Sequence, residues 1–152
     1  MKSENYEKNL QKAAALCSAK ECCTNDIRQK LVTYGSSDDE AEKIVQYLTK
    51  EKFIDDQRFA IAYAKDKFRF GKWGKTKIGY ALRMKKIADE MIENALNMIP
   101  EEEYAETLLT LLREKKKSAK FKDDYELRGK LFRFAASRGF ESEIILQTLK
   151  NI

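Results

Sequence analysis

Apolar residues recur at intervals of three and four along most of this chain, which is the periodicity of amphipathic α-helices. The pattern is clearest in three stretches, residues 25–48, 75–96 and 126–149. Each stretch has a basic amphipathic segment, a break of a few residues and a more acidic amphipathic segment. A further segment with helical periodicity precedes each stretch. We therefore predict an all-α protein built from groups of three helices.

The three stretches align with one another as an internal repeat. Equivalent apolar positions recur in all of them: Ile27, Ile78 and Leu131, and one turn later Leu31, Leu82 and Ala135. Equivalent positions are separated by 51 and then 53 residues, and a spacing that nearly recurs indicates tandem repeats. The prediction is three tandem three-helix repeats, at residues 5–54, 55–100 and 101–152, that form an elongated, curved molecule.

The breaks between helices contain residues with known roles at helix ends. Gly35 and Gly139 lie where a helix would end in a left-handed residue, a conformation that Gly adopts most easily. Lys86 takes this position in the second stretch, at a cost of about 1 kcal/mol, so we expect that helix end to close differently. Ser37 and Glu40 have the spacing of a capping box for the helix that follows.

The positive charge of the chain is concentrated in one stretch, Lys65–Lys86, called here the basic window. This window holds nine Lys or Arg against one Asp, so it carries more positive charge than the net +5 of the whole chain. Lys-rich helix faces often only contact solvent. Clustered cations next to aromatic residues instead favour a polyanionic partner, and this is the interpretation we prefer.

Helical spacing divides the basic window into a core side and an exposed side. Ile78 and Leu82 are predicted to face the core, with Tyr80 as a third candidate. Trp73 lies in a Gly-rich turn between two helices, and we expect its ring to be exposed for stacking on a base or anchoring a protein partner. The cations left on the exposed side of the second helix are Lys75, Lys77, Arg83, Lys85 and Lys86.

Several classes of enzyme are excluded by the residues that the chain lacks. It has no His, which removes Ser-His and Cys-His nucleophile pairs and the usual zinc ligand. The segment "GKWGKT", Gly71–Thr76, lacks the spacing of a phosphate-binding loop and follows no strand pattern. We predict no catalytic residues, no cofactor and no metal site.

Two adjacent pairs have both a chemical and a structural interpretation. Asp55 and Asp56 could act in metal or acid–base chemistry, but they also suit a helix start, with Asp55 as the N-cap and Asp56 in the first turn. A hydrophobic staple between Ile54 and Phe59 would support that start. Cys22–Cys23 could be a redox pair, yet adjacent cysteines form only strained disulfides. We favour the structural interpretation of both pairs.

The odd number of cysteines argues against a secreted disulfide framework. The N-terminal segment lacks the apolar core of a signal peptide, and no run of eighteen apolar residues occurs. We expect a cytoplasmic protein without a membrane span.

The segment from Tyr47 to Ile87 resembles the signature of the RecX family, most specifically in "FIDDQRFA". Segments Asp26–Gly35 and Arg128–Ile145 also look like the first and third units of that family. Lys86 departs from the family pattern, which generally has Gly there. The matching positions are Phe53, Ile54, Asp55, Asp56, Arg58, Phe59, Ala60, Trp73, Gly74, Ile78 and Leu82.

The resemblance implies a non-catalytic regulator, mainly an inhibitor, of the RecA recombinase. Such a protein would bind in the groove of the RecA–DNA filament and modulate ATP hydrolysis, strand exchange and coprotease activity. Its partners would be the RecA filament and single- and double-stranded DNA, and we expect it to be a monomer. The expected contact residues are Lys65, Lys67, Arg69, Lys72, Trp73, Lys75, Lys77, Arg83, Lys85, Lys86, Lys115, Lys116, Lys117, Arg133 and Arg138.

Two other functions remain open from the sequence. The first is an autonomous DNA-binding module, with the Lys75–Lys85 helix in the major groove; the start of that helix, "KTKIG", suits phosphates better than base edges. The second is a protein adaptor of helical repeats, whose affinity for its partner would vary little with salt.

Overall fold

The computed structural model describes residues 4–152, and within this range every helix or strand assigned is an α-helix. The helices are α1 (Glu4–Ala19), α2 (Thr24–Thr33), α3 (Asp38–Lys50), α4 (Asp56–Arg69), α5 (Lys75–Met84), α6 (Asp89–Asn97), α7 (Glu101–Ser118), α8 (Asp124–Ser137) and α9 (Ser142–Leu149). They form three tandem groups, α1–α3, α4–α6 and α7–α9, called here the first, second and third repeats. The predicted all-α fold with three-helix repeats is confirmed.

The sequence spacing is reproduced by the helix starts. α3, α6 and α9 begin at Asp38, Asp89 and Ser142, which are separated by the same 51 and 53 residues as the aligned apolar positions. The 51-residue spacing also separates the starts of the second helices α2 and α5, at Thr24 and Lys75. α8 is the exception, because it begins one turn earlier than its equivalents.

The predicted core positions of the second helices are buried. Ile27, Ile78 and Leu131 expose 1% of their surface or less, and Leu82 exposes none. The expectation for Tyr80 is wrong, since 64% of its surface is exposed. Tyr80 lies two residues from both Ile78 and Leu82, which places it about 200° around the helix from each of them.

All three second helices end in the same way, with a left-handed residue. Gly35, Lys86 and Gly139 have φ values of 90°, 61° and 92°. In each case the next N–H donates to the carbonyl five residues earlier: Ser36 to Leu31 at 2.9 Å, Ile87 to Leu82 at 3.2 Å and Phe140 to Ala135 at 3.1 Å. This is the Schellman arrangement. The expectation that Lys86 would close its helix differently is wrong, because Lys adopts the glycine conformation there.

The acidic pair at the start of α4 has the structural role predicted for it. Asp55 precedes the helix, and its carboxylate accepts a hydrogen bond from the Arg58 N–H at 3.0 Å. Ile54 and Phe59 are both buried, as a hydrophobic staple requires. At the start of α3, Ser37 likewise accepts from the Glu40 N–H, at 3.2 Å.

The chain divides into two compact units. The first comprises the residues up to Ala62 together with Leu82–Ile92, and the second comprises Tyr63–Ala81 and Glu93–Ile152. Each unit contains one joint between successive repeats.

In the first unit, the joint connects α2 to α4 and to the turn after α5. The Asp56 carboxylate accepts a hydrogen bond from the Thr24 N–H at 2.8 Å, so it satisfies an amide in the first turn of α2. The Lys85 ammonium lies 2.9 Å from the Asp26 carboxylate. Asp56 therefore acts between two helices as well as within its own.

The joint in the second unit has the same plan with different side chains. The Lys75 N–H, at the start of α5, donates to the Tyr104 hydroxyl at 2.9 Å. That hydroxyl donates to the Glu141 carboxylate. Burial and this hydrogen bond both favour the neutral phenol, so the pKa of Tyr104 is raised. Lys75 occupies the position in its repeat that Thr24 occupies in the first. Tyr104 therefore accepts a hydrogen bond from the first amide of α5, as Asp56 accepts one from the first amide of α2.

Backbone contacts complete the second joint. The Gly74 N–H donates to the Arg138 carbonyl at 2.8 Å, and the Thr76 N–H donates to the Gly139 carbonyl at 2.9 Å. A Cβ atom at position 74 would collide with the backbone of Gly139 and Phe140. This close approach explains why Gly stands at position 74.

The three cysteines are buried free thiols. Cys23 is the N-cap residue of α2, which agrees with the structural interpretation of the Cys22–Cys23 pair. Burial raises the pKa of Cys17 to about 12 and that of Cys23 to about 11, because the thiolate is poorly solvated there.

Replacing Lys86 by Gly should stabilise the protein. Relief of the left-handed conformation is worth about 1–2 kcal/mol, and the greater freedom of Gly in the unfolded chain offsets part of it. We expect the free energy of unfolding, measured with urea, to rise by about 0.5–1 kcal/mol. Lys86→Ala removes the same charge but keeps a Cβ, so it should give no such gain. Equal stability of the two variants would contradict the conformational explanation.

The buried thiols should be unreactive while the protein is folded. An unfolded thiol has a pKa near 8.5, so roughly a quarter of it is ionised at pH 8. Folding raises the pKa values of Cys17 and Cys23, so the folded protein keeps these thiols protonated. Their contribution to the free energy of unfolding is therefore fully present below pH 8.5 and is lost as the pH rises toward the folded pKa values of about 11 and about 12. A disulfide reagent at pH 8 should label the native protein slowly. It should label all three cysteines once guanidinium has unfolded the protein. Rapid labelling of the native protein would contradict the buried positions.

Candidate functional site

The basic window runs from the last turns of α4, through the turn at residues 70–74, to the end of α5. Because α4 ends at Arg69 and α5 begins at Lys75, the Gly-rich segment forms the predicted turn between the first and second helices of the second repeat. Lys72 has a left-handed backbone in this turn, with φ of 56°. The cations before and after the turn therefore belong to two different helices.

Trp73 is half-buried and is not the exposed platform expected from the sequence. The ammonium groups of Lys67 and Lys77 lie 4.9 and 4.5 Å from the centroid of its ring. Its backbone N–H donates to the Lys67 carbonyl at 3.1 Å. A Cβ on Gly71 would come within 3.0 Å of the indole, so Gly71 leaves room for the ring. Trp73 thus packs inside the turn, under two lysines that a polyanion could engage.

Several predicted contact residues already have partners within the protein. Lys85 pairs with Asp26, and its ammonium also lies 5.9 Å from the centroid of the Phe59 ring. The Arg138 guanidinium is half-buried and donates to the Gly71 carbonyl at 3.4 Å. The other engaged cations are Arg69, which is 3.7 Å from Glu103; Arg83, which is 3.3 Å from Asp89; and Lys75, which is 4.9 Å from the centre of the Tyr104 ring.

A second set of predicted cations is exposed and lies outside ion-pair distance of every described carboxylate. Three belong to the second repeat and three to the third. They are Lys65, Lys72, Lys86, Lys116, Lys117 and Arg133. These side chains can meet phosphates or carboxylates without losing an internal ion pair.

The third repeat adds a basic cavity that the sequence interpretation found only in part. Its volume is about 490 Å³, and no Asp or Glu lies among its lining residues. Lys115 and Arg133 were predicted as contact residues, and the Lys115 ammonium lies 5.2 Å from the centre of the Phe134 ring. Lys120 and Lys130 were missed. Lys130 falls three residues before Arg133 on α8, so helical spacing from Arg133 was the available signal.

Arg58, which lies in the segment "FIDDQRFA", has a structural role. Its guanidinium pairs with Glu21 and donates to the carbonyls of Lys52 and Phe53 at 3.3 and 3.4 Å. The hydrogen bond to Glu21 is the main reason why the pKa of Arg58 is raised. Arg58 therefore fastens the start of α4 to the segment before α2.

The described residues present surface cations and no grouped metal ligands. Between residues 4 and 152, no three Cys, Asp or Glu side chains are placed to hold a metal ion together. Over the same residues, no helix combines the length and apolarity needed to cross a membrane. The chemistry that the site offers is electrostatic contact with an anionic partner.

Comparison with protein families identifies two of the repeats. Residues 55–96 match the model described as "RecX, second three-helix domain", and residues 101–149 match "RecX, third three-helix domain".

Comparison with individual relatives gives the same family. The regulatory protein RecX of Prosthecochloris aestuarii is 32% identical over 100% of this chain and 98% of its own length. The protein of the same name from Clostridium botulinum (strain Eklund 17B / Type B) is 32% identical over 82% of this chain but only 58% of its own length. The chain therefore spans little more than half of some clostridial relatives.

Solved structures share the fold. The crystal structure of RecX from Lactobacillus salivarius superimposes with a TM-score of 0.88, at 20% identity, over 97% of this chain and 96% of that one. A second RecX crystal structure also gives 0.88, at 21% identity, over 98% of this chain and 73% of that one. With the matched three-helix domains and the relatives of 32% identity, these findings establish that the chain belongs to the RecX family.

Proposed function

We propose that this protein regulates the RecA recombinase by binding in the groove of the RecA–DNA filament, and that it acts mainly as an inhibitor. Its relatives carry the name regulatory protein RecX, which supports a regulatory role. Binding would slow ATP hydrolysis, strand exchange and coprotease activity without any chemistry by this chain.

The observation that carries the proposal is the set of exposed cations without internal ion pairs in the second and third repeats. Lys65 lies on α4, and Lys116 and Lys117 lie in the last turn of α7. Each such cation forms a weak contact with a phosphate or a carboxylate. Repeats that offer several weak contacts to one filament gain affinity through avidity. A tandem-repeat protein is thus well suited to a partner that is itself periodic.

Binding at the basic window involves more than free lysines. Lys67 and Lys77 lie over the Trp73 ring, where each cation–π contact is worth about 0.5–1 kcal/mol. A phosphate can recruit either ammonium at this small cost. The Trp73 ring would then provide an apolar surface beneath the contact between lysine and phosphate.

The alternative of an autonomous DNA-binding module is less well supported. A recognition helix reads DNA with the residues of its N-terminal part. At the start of α5, the N–H of Lys75 is bonded to the Tyr104 hydroxyl, and Gly74, the residue before the helix, lies against Gly139. The start of this helix is committed to the joint between repeats, which speaks against its insertion into a groove.

The regulatory role is tested by adding the purified protein to cognate RecA on single-stranded DNA. We expect the rates of ATP hydrolysis and strand exchange to fall as the protein approaches the filament concentration. Unchanged rates at concentrations well above that of the filament would overturn the proposal. In a control reaction without RecA, the purified protein should hydrolyse no ATP.

The contact residues are tested separately, by the salt dependence of binding to filaments or to single-stranded DNA. Replacing Lys65, Lys116 and Lys117 by Gln should weaken binding and lower the slope of log K against log salt by about 2, because each lost phosphate contact removes about 0.7. Lys75, Lys77 and Lys85 are less suitable, because they contact Tyr104, Trp73 and Asp26.

A matched control comes from the first repeat. Lys30, Lys43 and Lys50 are exposed, and two of them lie in the last turns of their helices, as Lys116 and Lys117 do. Their replacement by Gln makes the same change in charge and should leave the slope unchanged. An equal loss in both triple variants would mean that only net charge matters.

A further inference from the structure

The third repeat carries an open groove of about 1040 Å³ along α8 and the end of α9. Its apolar lining comes from Tyr125, Phe132, Leu146 and Leu149. Tyr125 exposes 89% of its surface and Leu146 exposes 55%. Large apolar side chains exposed together are the kind of surface feature that marks an interaction site.

α8 has two apolar stripes, and its own repeat uses only one of them. Leu127 and Leu131 are buried and form the core stripe. Tyr125, Gly129 and Phe132 follow a second stripe at i, i+4 and i+7, and this stripe lines the groove. An amphipathic helix needs one stripe to pack in its own core, and the second stripe leaves Tyr125 exposed and Phe132 half-buried.

The other repeats do not expose apolar side chains at the equivalent places. Phe132 and Leu146 correspond, through the 51- and 53-residue spacing, to Arg28 and Glu42 in the first repeat. Arg28 and Glu42 form an exposed ion pair at 2.9 Å. The first repeat thus has a polar pair where the third has an apolar pair. Packing within a repeat does not require Phe and Leu at these positions.

Gly129 lies in the groove lining, in the interior of α8. After Pro, Gly is the least favourable residue in a helix interior, so its presence there lowers the stability of α8. A Cβ at this position would meet only the Arg133 guanidinium, at 3.3 Å, which is the mobile end of a long side chain. Internal packing therefore does not demand Gly, whereas the close approach of a partner would.

The edge of the groove is positively charged. Its lining includes Lys122, Arg133 and Lys150, and no described carboxylate forms an ion pair with any of them. The two lining carboxylates are already engaged, since Asp123 caps α8 and Glu126 pairs with Lys130. Arg133 also lines the basic cavity of Lys115, Lys120 and Lys130, so the apolar groove and the basic cavity adjoin.

We infer that this groove docks an acidic amphipathic helical segment of a protein partner. Apolar side chains on one face of that segment would fill the groove, and its carboxylates would meet the surrounding cations. The stretch from Tyr125 to Phe132 is about 10 Å long, which matches two turns of a docked helix. Tyr125 and Phe132 could each stack on a base, but Leu146 and Leu149 cannot, so the mixed aliphatic and aromatic lining favours a peptide over single-stranded DNA. The inference goes beyond RecA regulation, because it concerns the apolar groove and not the exposed cations alone; of those cations, only Arg133 lines the groove.

The docking is tested by fluorescence anisotropy with three labelled 16-residue helical peptides and labelled oligo(dT). The first peptide has Leu on one face and Glu elsewhere. The second keeps Leu but replaces Glu by Gln, and the third keeps Glu but replaces Leu by Ser. We expect the Glu/Leu peptide to bind at least ten times more tightly than either of the others. Equal binding of the Glu/Ser peptide would overturn the inference, because charge alone would then suffice.

Variants locate the binding in the groove. The double variant Phe132→Arg, Leu146→Glu installs the polar pair of the first repeat and should weaken binding of the Glu/Leu peptide at least tenfold. The matched control is Val32→Arg, Tyr47→Glu, which makes the same substitutions at exposed apolar positions elsewhere. The control should retain wild-type affinity. Loss of binding in both variants, or in neither, would overturn the proposed location.

Gly129→Gln separates binding from folding. Gln is a better helix former than Gly, so the variant should keep or raise the thermal midpoint while its side chain blocks the groove and weakens peptide binding several-fold. Wild-type affinity in this variant would contradict the inference. Displacement of the bound peptide by oligo(dT) with retained sensitivity to Phe132→Arg would show that the groove binds nucleic acid instead.

Discussion

The first amide of each central helix in the first two repeats depends on a side chain from the repeat that follows. Thr24 is bonded to Asp56 in one joint and Lys75 to Tyr104 in the other. The N–H groups at a helix start have no partner within the helix, so a joint that covers them must supply one. A carboxylate at the first position of α4 does this in one joint, and a phenol at the fourth position of α7 does it in the other. The two joints therefore share the same kind of hydrogen bond, although different side chains form it.

The joints also decide which cations are available for function. Lys85 and Arg138 lie just before the left-handed residues that end α5 and α8, and each is drawn into contacts within its unit. Lys75 is held over the Tyr104 ring. The positive charge that looks uniform in the basic window is therefore divided between joint-forming and free cations. On the proposed function, binding of a polyanion would fall mainly to the free cations.

The third repeat differs from the others in ways that bear on function. Its α8 begins one turn early, its surface combines an apolar groove with a basic cavity, and its groove contains Gly129. A shared fold at about 20% identity is possible because the repeats need only their buried stripes and helix ends. Surface positions such as Phe132 and Leu146 are free to vary, and there one repeat can acquire a partner that the others lack.

Local rules were sufficient to predict the helices, the repeat spacing, the Asp55 and Ser37 caps and the left-handed glycines, because each depends on residues close together in the sequence. The exposure of Tyr80 also follows from helix geometry once the register of Ile78 is known. The pairing of Lys85 with Asp26, 59 residues away, does not follow from any local pattern. Nor does the partial burial of Trp73 under two lysines. These were decided by the tertiary structure, because contacts between distant residues determine which charges are free and which aromatic rings are covered.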